Sequence, residues 1–232
     1  MADKPKPESR AGVEFTNLDQ TLFDGAGVTK RDLVNYLDAV HDRLLPELRN
    51  RPLSVIRATS AQGPFMQKNV PKYTPDWVAT TPVWAEASKR TVSYALCNDR
   101  RTLLWFANQR AVEYHPTLTL AEQPHHATYL VLDLDPPIDT AFAKTVTAAH
   151  LVHEVLTAAG LIGAVKTSGA KGLHVFVPIA AEVTMDDAAA ATRAIARRVA
   201  QLDPATATTA FLKEDRGEKV FRSEERRVGK EC

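Results

Sequence analysis

The amino-acid sequence predicts an α+β fold in which an antiparallel-rich sheet has helices packed on one face. Three observations support this prediction. The second half of the chain contains short apolar strands and two alanine-rich helices in the order strand, helix, strand pair, helix. The two strands between the helices are joined by a tight glycine-containing turn, which makes them a hairpin. The chain has 232 residues, of which 44% are hydrophobic, so it is long enough to bury a sizeable core.

The first half of the chain is less regular. Residues 1–13 have the polar, proline-containing composition of a disordered lead-in. Thr29 caps a predicted helix over residues 30–45, which Pro46 and the stretch 49–52 end. The apolar stripe of this helix contains Leu33, Tyr36, Leu37, Val40, Leu44 and Leu45. Strands are predicted at 53–57, 91–96 and 112–115 and a short helix at 101–109, whereas glycine and repeated prolines predict loops and short elements over 58–90.

The elements of the second half follow from clearer patterns. Strands are predicted at 128–135, 162–167 and 173–178, and helices at 140–159 and 185–202. Gly160 ends the first of these helices, because glycine readily adopts the conformation that closes a helix. Residues 168–172 form the turn between the last two strands.

Composition excludes several classes of protein. Lysine and arginine number 29 and aspartate and glutamate 28, giving a formal net charge of +1, so any polyanion must be held by a local basic patch. Cys97 and Cys232 fit neither a disulfide framework nor a zinc site. No apolar run approaches the roughly 20 residues that span a bilayer, and residues 1–10 lack the apolar stretch of a signal peptide. We therefore expect a cytoplasmic protein without a membrane partner.

The strongest local motif is the pair Asp133 and Asp135 at the end of the predicted strand 128–135. Side chains alternate along a strand, so both carboxylates share one face while the neighbouring leucines share the other. Two carboxylates held this close repel each other, and a divalent cation such as Mg²⁺ or Mn²⁺ removes that cost. Two such cations can activate an attacking hydroxyl and stabilise a leaving pyrophosphate. The alternative is a strand that ends in a solvated Asp-x-Asp-Pro turn.

The second motif is the segment TSGAKGLH at residues 167–174. Two glycines allow a tight turn with outward-pointing amides, near which the side chains of Ser168, Lys171 and His174 converge. Such a turn can hold a triphosphate, although the order of residues is not that of a Walker A loop. The parity of His174 in the returning strand lets it face the same side as the two carboxylates. The alternative is a plain hairpin turn.

Two weaker clusters lie in the first half. Phe65 and Lys68, in a glycine-proline loop after Arg57, suit stacking on a base and contact with a phosphate. A core aromatic beside a surface lysine is the alternative, and residue types alone favour it. Glu113 and His115 share a face if residues 112–115 form a strand. His115 could contact a ribose hydroxyl or orient a metal ligand, or the two could be a buried structural pair.

Taken in order along the chain, these segments resemble the polymerase module of bacterial DNA ligase D, a member of the archaeo-eukaryotic primase superfamily. The likeness covers residues 14–221, and the segments 65–68, 108–116, 133–136 and 168–174 occur in the family's order. Segments 72–77 and 97–101 are more similar to stand-alone actinobacterial members than to ligase-fused ones. The resemblance implies a primase-polymerase fold, with an RRM-like catalytic part, in one domain over 14–221.

The resemblance also implies a function. Family members are nucleotidyltransferases that add nucleotides to DNA ends in bacterial non-homologous end joining. Their Asp-x-Asp pair, here Asp133 and Asp135, is catalytic and binds Mn²⁺ or Mg²⁺ in a two-metal site. Residues of the family that bind the incoming NTP or dNTP correspond here to Ser168, Lys171, Gly172, His174 and His115.

The DNA-binding residues implied by the resemblance lie in the first half. Phe65 faces the base and the DNA, although a second aromatic usual beside it is replaced by Met66. Family members recognise a 5′-phosphate through basic residues, for which Lys68 is the first candidate and Arg57 the second. The resemblance implies DNA ends as partners, together with Ku and an ATP-dependent DNA ligase, and hence an association with the nucleoid.

The end of the chain departs from the family pattern. Residues 222–232 (RSEERRVGKEC) resemble a translated sequencing-adapter remnant and are treated as non-native. The family has a third metal-binding aspartate just after the segment that corresponds to residues 219–221, and we expect the chain as written to be impaired without it. Two other functions stay open. One is a non-catalytic DNA-end-binding module that recruits a ligase, and the other is metal-dependent phosphoester hydrolysis.

Overall fold

The computed structural model describes residues 7–58, 63–86, 88–137, 142–210, 217 and 219–220. The chain is divided into two compact units, with the boundary between residues 122 and 123. Both units combine helices with antiparallel strand pairs, so the predicted α+β class is confirmed. The tail 222–232 lies outside the described residues, as do residues 1–6 of the predicted lead-in.

The first unit contains two helices and a five-stranded sheet. Its elements are β1 (Ser9–Arg10), β2 (Val13–Glu14), α1 (Lys30–Leu48), β3 (Leu53–Arg57), β4 (Phe65–Gln67), β5 (Thr80–Ala85), β6 (Arg90–Ala95), α2 (Arg100–Asn108), β7 (Ala111–Pro116) and β8 (Thr119–Leu120). In the sheet, β3 pairs with β4, β6 and β7, and β6 also pairs with β5. The apolar faces of α1, α2 and β3 form the core of this unit.

Helix α1 begins where the sequence predicts and ends one turn later. The Thr29 hydroxyl accepts a hydrogen bond from the Asp32 amide, and the Asp32 carboxylate accepts one from the Thr29 amide, which is a complete capping box. The stretch 49–52 ends the helix as predicted, because Arg49 is its C-cap, but Pro46 lies inside the helix and does not end it. Leu45 and Leu48 are both buried, and their packing holds the last turn together although Pro46 has no amide hydrogen. Tyr36, assigned to the apolar stripe, is 63% exposed.

One further prediction for the first unit needs correction. Residues 7–13 are not disordered, because β1 and β2 pair antiparallel and Val13 is buried in the core. Residues 58–90, predicted as loops and short elements, contain the short strands β4 and β5. Among the strands that the structure describes, β5 pairs only with β6, so it is an edge strand, where Pro82 is tolerated.

The second unit contains a three-stranded antiparallel sheet covered by two helices. Its elements are β9 (Gln123–Ala127), β10 (Tyr129–Leu134), α3 (Phe142–Ala158), β11 (Ala164–Thr167), β12 (Leu173–Pro178) and α4 (Met185–Leu202). The central strand is β12, which pairs with β10 on one side and with β11 on the other. Residues 140–141, the predicted start of the helix over 140–159, lie outside the described residues.

The two faces of this sheet have opposite character. Alternating residues of β10 and β12 are buried against α3 and α4, as shown by Leu132, Val175 and Val177, whose exposed fraction is at most 5%. The residues between them point to the opposite face and are only half-buried. The predicted packing of helices on one face is confirmed, and the polar motif residues of β10 and β12 occupy the other face.

Among the helices that the structure describes, none combines the length and the apolar character required to cross a membrane.

Candidate functional site

A row of three polar residues crosses the open face of the sheet in the second unit. Asp133 on β10 lies opposite His174 on β12, and His174 lies opposite Lys166 on β11. The imidazole Nε2 is 3.5 Å from the Asp133 carboxylate oxygen Oδ1. The expected common face of Asp133 and His174 is therefore confirmed, and Lys166 joins them as a residue that the sequence analysis missed.

The charges in this row are partly shielded from water. The side chains of Asp133 and His174 are 20% and 28% exposed. Desolvation lowers the pKa of Lys166, and the Asp133 carboxylate partly offsets this effect. Asp135 is half-buried and follows the last residue of β10, which ends at Leu134 instead of the predicted residue 135. Carboxylate oxygens are the ligands that Mg²⁺ and Mn²⁺ prefer, so the donor type of Asp133 and Asp135 fits a divalent cation, and the His174 imidazole is a neighbour of Asp133.

The turn at residues 168–172 packs directly against the end of β10. A Cβ atom built on Gly172 would lie 2.5 Å from the carbonyl oxygen of Leu134, closer than any side chain permits. Gly172 is therefore required because the turn and the strand approach so closely. This contact brings the turn next to Asp133 and Asp135, which flank Leu134 in the chain.

The interior of the turn differs from the prediction in one respect. The Ser168 hydroxyl oxygen accepts hydrogen bonds from the amides of Ala170 at 3.3 Å and Gly172 at 3.1 Å. Two amides that were expected to point outward are therefore used within the turn. The Ser168 hydroxyl retains its own hydrogen to donate, and Lys171 is exposed on the outside of the turn.

Two aromatic rings lie beside the polar row. Phe176 and Tyr129 meet edge to face, with ring centroids 5.8 Å apart. The Lys166 ammonium nitrogen lies 5.8 Å from the centroid of Phe176, and the His174 ring lies 6.2 Å from it. Phe176 therefore provides an apolar wall for both polar side chains. The sequence gives a signal for Lys166, because counting back through the hairpin places it opposite His174.

The histidine candidate of the first unit lies on β7. His115 and Glu113 share a face of this strand, as alternation predicts, and the His115 Nε2 is 3.0 Å from the Glu113 carboxylate. Met66 points to the same face of the sheet, because Ile56 on β3 lies opposite both Met66 and Glu113. Neither His115 nor Glu113 is buried, so the alternative of a buried structural pair is wrong.

Phe65 is 44% exposed, so the alternative that places it in the core is wrong. The Arg57 guanidinium lies 5.4 Å from the centroid of its ring. Arg57 donates hydrogen bonds to the Gln109 backbone carbonyl and to the side chains of Gln67, Tyr73 and Gln109, all at 3.0 Å or less. These hydrogen bonds hold the Arg57 guanidinium in place, and its contact with a phosphate stays a prediction.

Lys30 is a second charged residue that the sequence analysis missed. Its side chain is buried, and its ammonium donates a hydrogen bond of 2.6 Å to the Thr16 carbonyl oxygen. Burial lowers the pKa of Lys30 to about 8, and the nearby charges of Arg110 and Arg57 add to the effect. A lysine in the first turn of a helix is unfavourable, because it lies at the positive end of the helix dipole. This placement was the feature of the sequence that could have singled out Lys30.

The described residues contain no group of three or more histidine, cysteine, aspartate or glutamate side chains arranged to hold a metal ion. The position at which the resemblance implies a third carboxylate, after residue 221, lies outside the described part of the chain.

Comparison with known proteins shows the family to which the chain belongs. The family model described as "LigD, primase-polymerase domain" matches residues 29–223. The chain belongs to this family. The LigD relatives include the bifunctional non-homologous end joining protein LigD of Bacillus subtilis, which is 34% identical over 212 residues, covering 90% of this chain and 34% of the relative. The multifunctional non-homologous end joining DNA repair protein LigD of Mycobacterium tuberculosis is 30% identical over 223 residues, covering 92% of this chain and 29% of the relative.

A solved LigD structure has the same fold. The polymerase domain of Mycobacterium tuberculosis ligase D in complex with DNA superposes with a TM-score of 0.85 and is 29% identical, covering 93% of this chain and 78% of that one. The predicted primase-polymerase fold is therefore confirmed. The chain spans 34% of the length of the Bacillus subtilis relative.

Proposed function

We propose that this LigD-family domain is a template-directed nucleotidyltransferase that adds nucleotides to DNA ends in bacterial non-homologous end joining. Two LigD relatives carry non-homologous end joining in their names, and the solved polymerase domain is in complex with DNA. The observation that carries the proposal is the close packing of the turn 168–172 against Leu134, between the two aspartates. This packing supports the proposal that the turn binds phosphate next to two metal ligands.

Asp133 and Asp135 are the residues that would hold Mn²⁺ or Mg²⁺. When bound, such cations lower the pKa of an attacking hydroxyl and stabilise the charge on a leaving pyrophosphate. His174 holds the Asp133 carboxylate in place through their 3.5 Å contact. In its protonated form, it also offers positive charge to a phosphate.

The triphosphate would lie between the aspartates and the turn. The Ser168 hydroxyl donates a hydrogen bond to a phosphate oxygen, and the Lys171 ammonium offsets its negative charge. Lys166 offers a second ammonium on the same face of the sheet, next to His174. These groups orient the triphosphate so that its reacting phosphorus is presented to the primer hydroxyl, and this orientation contributes to the rate.

The first unit would bind the DNA end. Phe65 offers an exposed ring for a base, and Lys68 remains the candidate ligand for the 5′-phosphate. Lys30, Arg57 and Arg110 form a local concentration of positive charge in a chain that is nearly neutral overall. We keep His115 as the proposed contact to the nucleotide sugar. A role at the ends of broken chromosomal DNA implies association with the nucleoid, with Ku and an ATP-dependent ligase as partners.

A second function, a DNA-end-binding module without catalysis, is favoured by one observation. The amides of Ala170 and Gly172 donate to the Ser168 hydroxyl within the turn, so they are not directed at a triphosphate. This module would bind 5′-phosphorylated ends without metal and would not bind triphosphates. The proposed impairment of the chain by the lack of a third aspartate belongs with this alternative.

Primer extension on a gapped duplex with Mn²⁺ and nucleoside triphosphates tests the proposed function. We expect extension by the wild-type chain to be weak, and the D133A variant to abolish it while DNA binding is retained. The control variant D186A removes an exposed aspartate in the first turn of α4 and should extend like wild type. Robust extension by the wild type would contradict the impairment, and degradation of DNA without triphosphate would indicate hydrolysis instead.

A further inference from the structure

Two exposed aromatic side chains of the first unit share the guanidinium of Arg57. Phe65 is 44% exposed and Tyr73 is 59% exposed. The Arg57 guanidinium carbon lies 5.4 Å from the Phe65 ring centroid, and its Nη1 donates a 3.0 Å hydrogen bond to the Tyr73 hydroxyl. The two rings are therefore neighbours although eight positions separate them in the sequence.

The hydroxyl of Tyr73 is held in a defined position by two hydrogen bonds. Besides accepting a hydrogen bond from Arg57, its hydroxyl donates one of 3.2 Å to the Gln109 side-chain oxygen. Gln109 in turn accepts two hydrogen bonds from Arg57, at 2.8 Å to its backbone carbonyl and 3.0 Å to its side chain. The polar end of Tyr73 is thus fixed to the fold, and its ring is left accessible. An ordered but exposed ring loses little conformational freedom when a planar group stacks on it.

The charge around these rings selects the kind of planar group. Arg57 lies between them, Lys72 immediately precedes Tyr73 and is exposed, and Lys68 follows Phe65 by three positions. Aromatic rings interleaved with basic side chains form the type of surface on which single-stranded nucleic acids bind, because the bases stack and the phosphates meet positive charge. An apolar protein partner would leave these charges desolvated without compensation.

We propose that Tyr73 is a second stacking position beside Phe65, and that together they bind consecutive bases in the single-stranded part of a DNA end. This inference rests on the proposed function for its ligand. It assigns a specific contribution to Tyr73, and it makes Arg57 a positioning residue that fixes both rings. Met66, the neighbour of Phe65 in the sequence, points to the opposite face of the sheet and cannot take this place.

The test compares Y73L, which removes the ring, with Y73F, which keeps the ring and removes the hydroxyl. The matched control is Y36L, because Tyr36 is equally exposed, at 63%, on helix α1. Binding is measured by fluorescence anisotropy at one fixed salt concentration, without metal or triphosphate. The two probes are a 5′-phosphorylated duplex with a short single-stranded overhang and the corresponding blunt duplex.

We expect Y73L to bind the overhang duplex roughly 5-fold or more weakly than wild type, which is the low end of the contribution of one stacked base. Binding of the blunt duplex should not change, and Y36L should bind both probes like wild type. Y73F keeps the ring but loses the hydrogen bonds to Arg57 and Gln109, so its affinity for the overhang duplex should lie between those of wild type and Y73L. Equal affinities of Y73L and Y36L for the overhang would overturn the proposal, as would an equal loss on both probes.

Primer extension separates this inference from the proposed function. If the wild type fails to extend primers and Y73L still shows the selective loss of overhang binding, the stacking position stands and the catalytic proposal fails. If the wild type extends primers and Y73L binds the overhang normally, the stacking position is wrong and the catalytic proposal stands. Circular dichroism of Y73L, Y73F and Y36L before and during thermal unfolding excludes a general loss of structure.

Discussion

The substitution G172A tests the contact between the turn and strand β10. The new Cβ atom would lie 2.5 Å from the Leu134 carbonyl oxygen, whereas ordinary contacts begin at 3.4 Å, so the turn and the strand must separate by about 0.9 Å. Both groups are backbone, and no flexible side chain can move to relieve the overlap. Overpacking of this kind typically costs about 1–3 kcal/mol of stability.

The functional effect of G172A should exceed its effect on stability. A displacement of about 1 Å in a group that positions a substrate can reduce the rate about 100-fold. We expect triphosphate binding to weaken and primer extension with Mn²⁺ to fall by about this factor, while the protein stays folded at 25 °C. Denaturant unfolding gives the free energy of unfolding, and single-turnover extension at saturating DNA gives the rate.

The control for this experiment is G160A. Gly160 ends helix α3 with a φ of +68°, and a Cβ atom there would meet no atom within 4 Å. Alanine at this position costs about 1 kcal/mol through its backbone conformation alone. If G160A and G172A lose stability and activity in the same proportion, the contact with Leu134 has no specific role in the site. An unchanged rate in folded G172A would also refute the reasoning.

Three further predictions concern charged residues. K166M removes an ammonium from the open face of the sheet and should weaken triphosphate binding about 10-fold. Calorimetry measures this loss against the exposed control K89M. Equal triphosphate affinities of K166M and K89M would exclude a phosphate contact of Lys166. R57K cannot reproduce the four hydrogen bonds of Arg57 and should lower the free energy of unfolding by about 1–3 kcal/mol; an unchanged free energy of unfolding would contradict the positioning role of Arg57. The pKa of Lys30 falls from 10.5 to about 8 on folding, so between these values the unfolded chain binds more protons, and stability should rise with pH. The difference in free energy of unfolding between wild type and K30M should increase by up to about 3 kcal/mol from pH 8 to pH 10.5, and a constant difference would contradict the burial of a charged amine.

The predictable part of the site follows from strand periodicity. Alternation in β10 and β12 was enough to place Asp133 and His174 on one face, and the two glycines at 169 and 172 were enough to predict the turn. The close approach of that turn to Leu134 needs the pairing register of β10 with β12, which one strand alone does not specify. Lys166 was missed for the same reason, since its position depends on pairing across the hairpin.

Long-range contacts account for most of the differences. The hydrogen bonds of Arg57 were missed because no local pattern indicates that Gln67, Tyr73 and Gln109 surround it. Pro46 does not end α1, because the packing of Leu45 and Leu48 stabilises the turn that contains it. Residues 7–13 were assigned to disorder by their composition, but Val13 and Phe15 complete the core of the first unit.

The functional roles of the candidate residues depend on one claim, that Asp133, Asp135 and the turn 168–172 form a single site for a divalent cation and a nucleoside triphosphate. The most direct test is calorimetric binding of a triphosphate with and without Mn²⁺ to wild type, D133A, K171M and the double variant. A shared site predicts that Mn²⁺ tightens triphosphate binding in the wild type, that D133A removes this effect, and that the losses in the double variant are not additive. Independent, additive losses and a triphosphate affinity that does not depend on Mn²⁺ would contradict the claim.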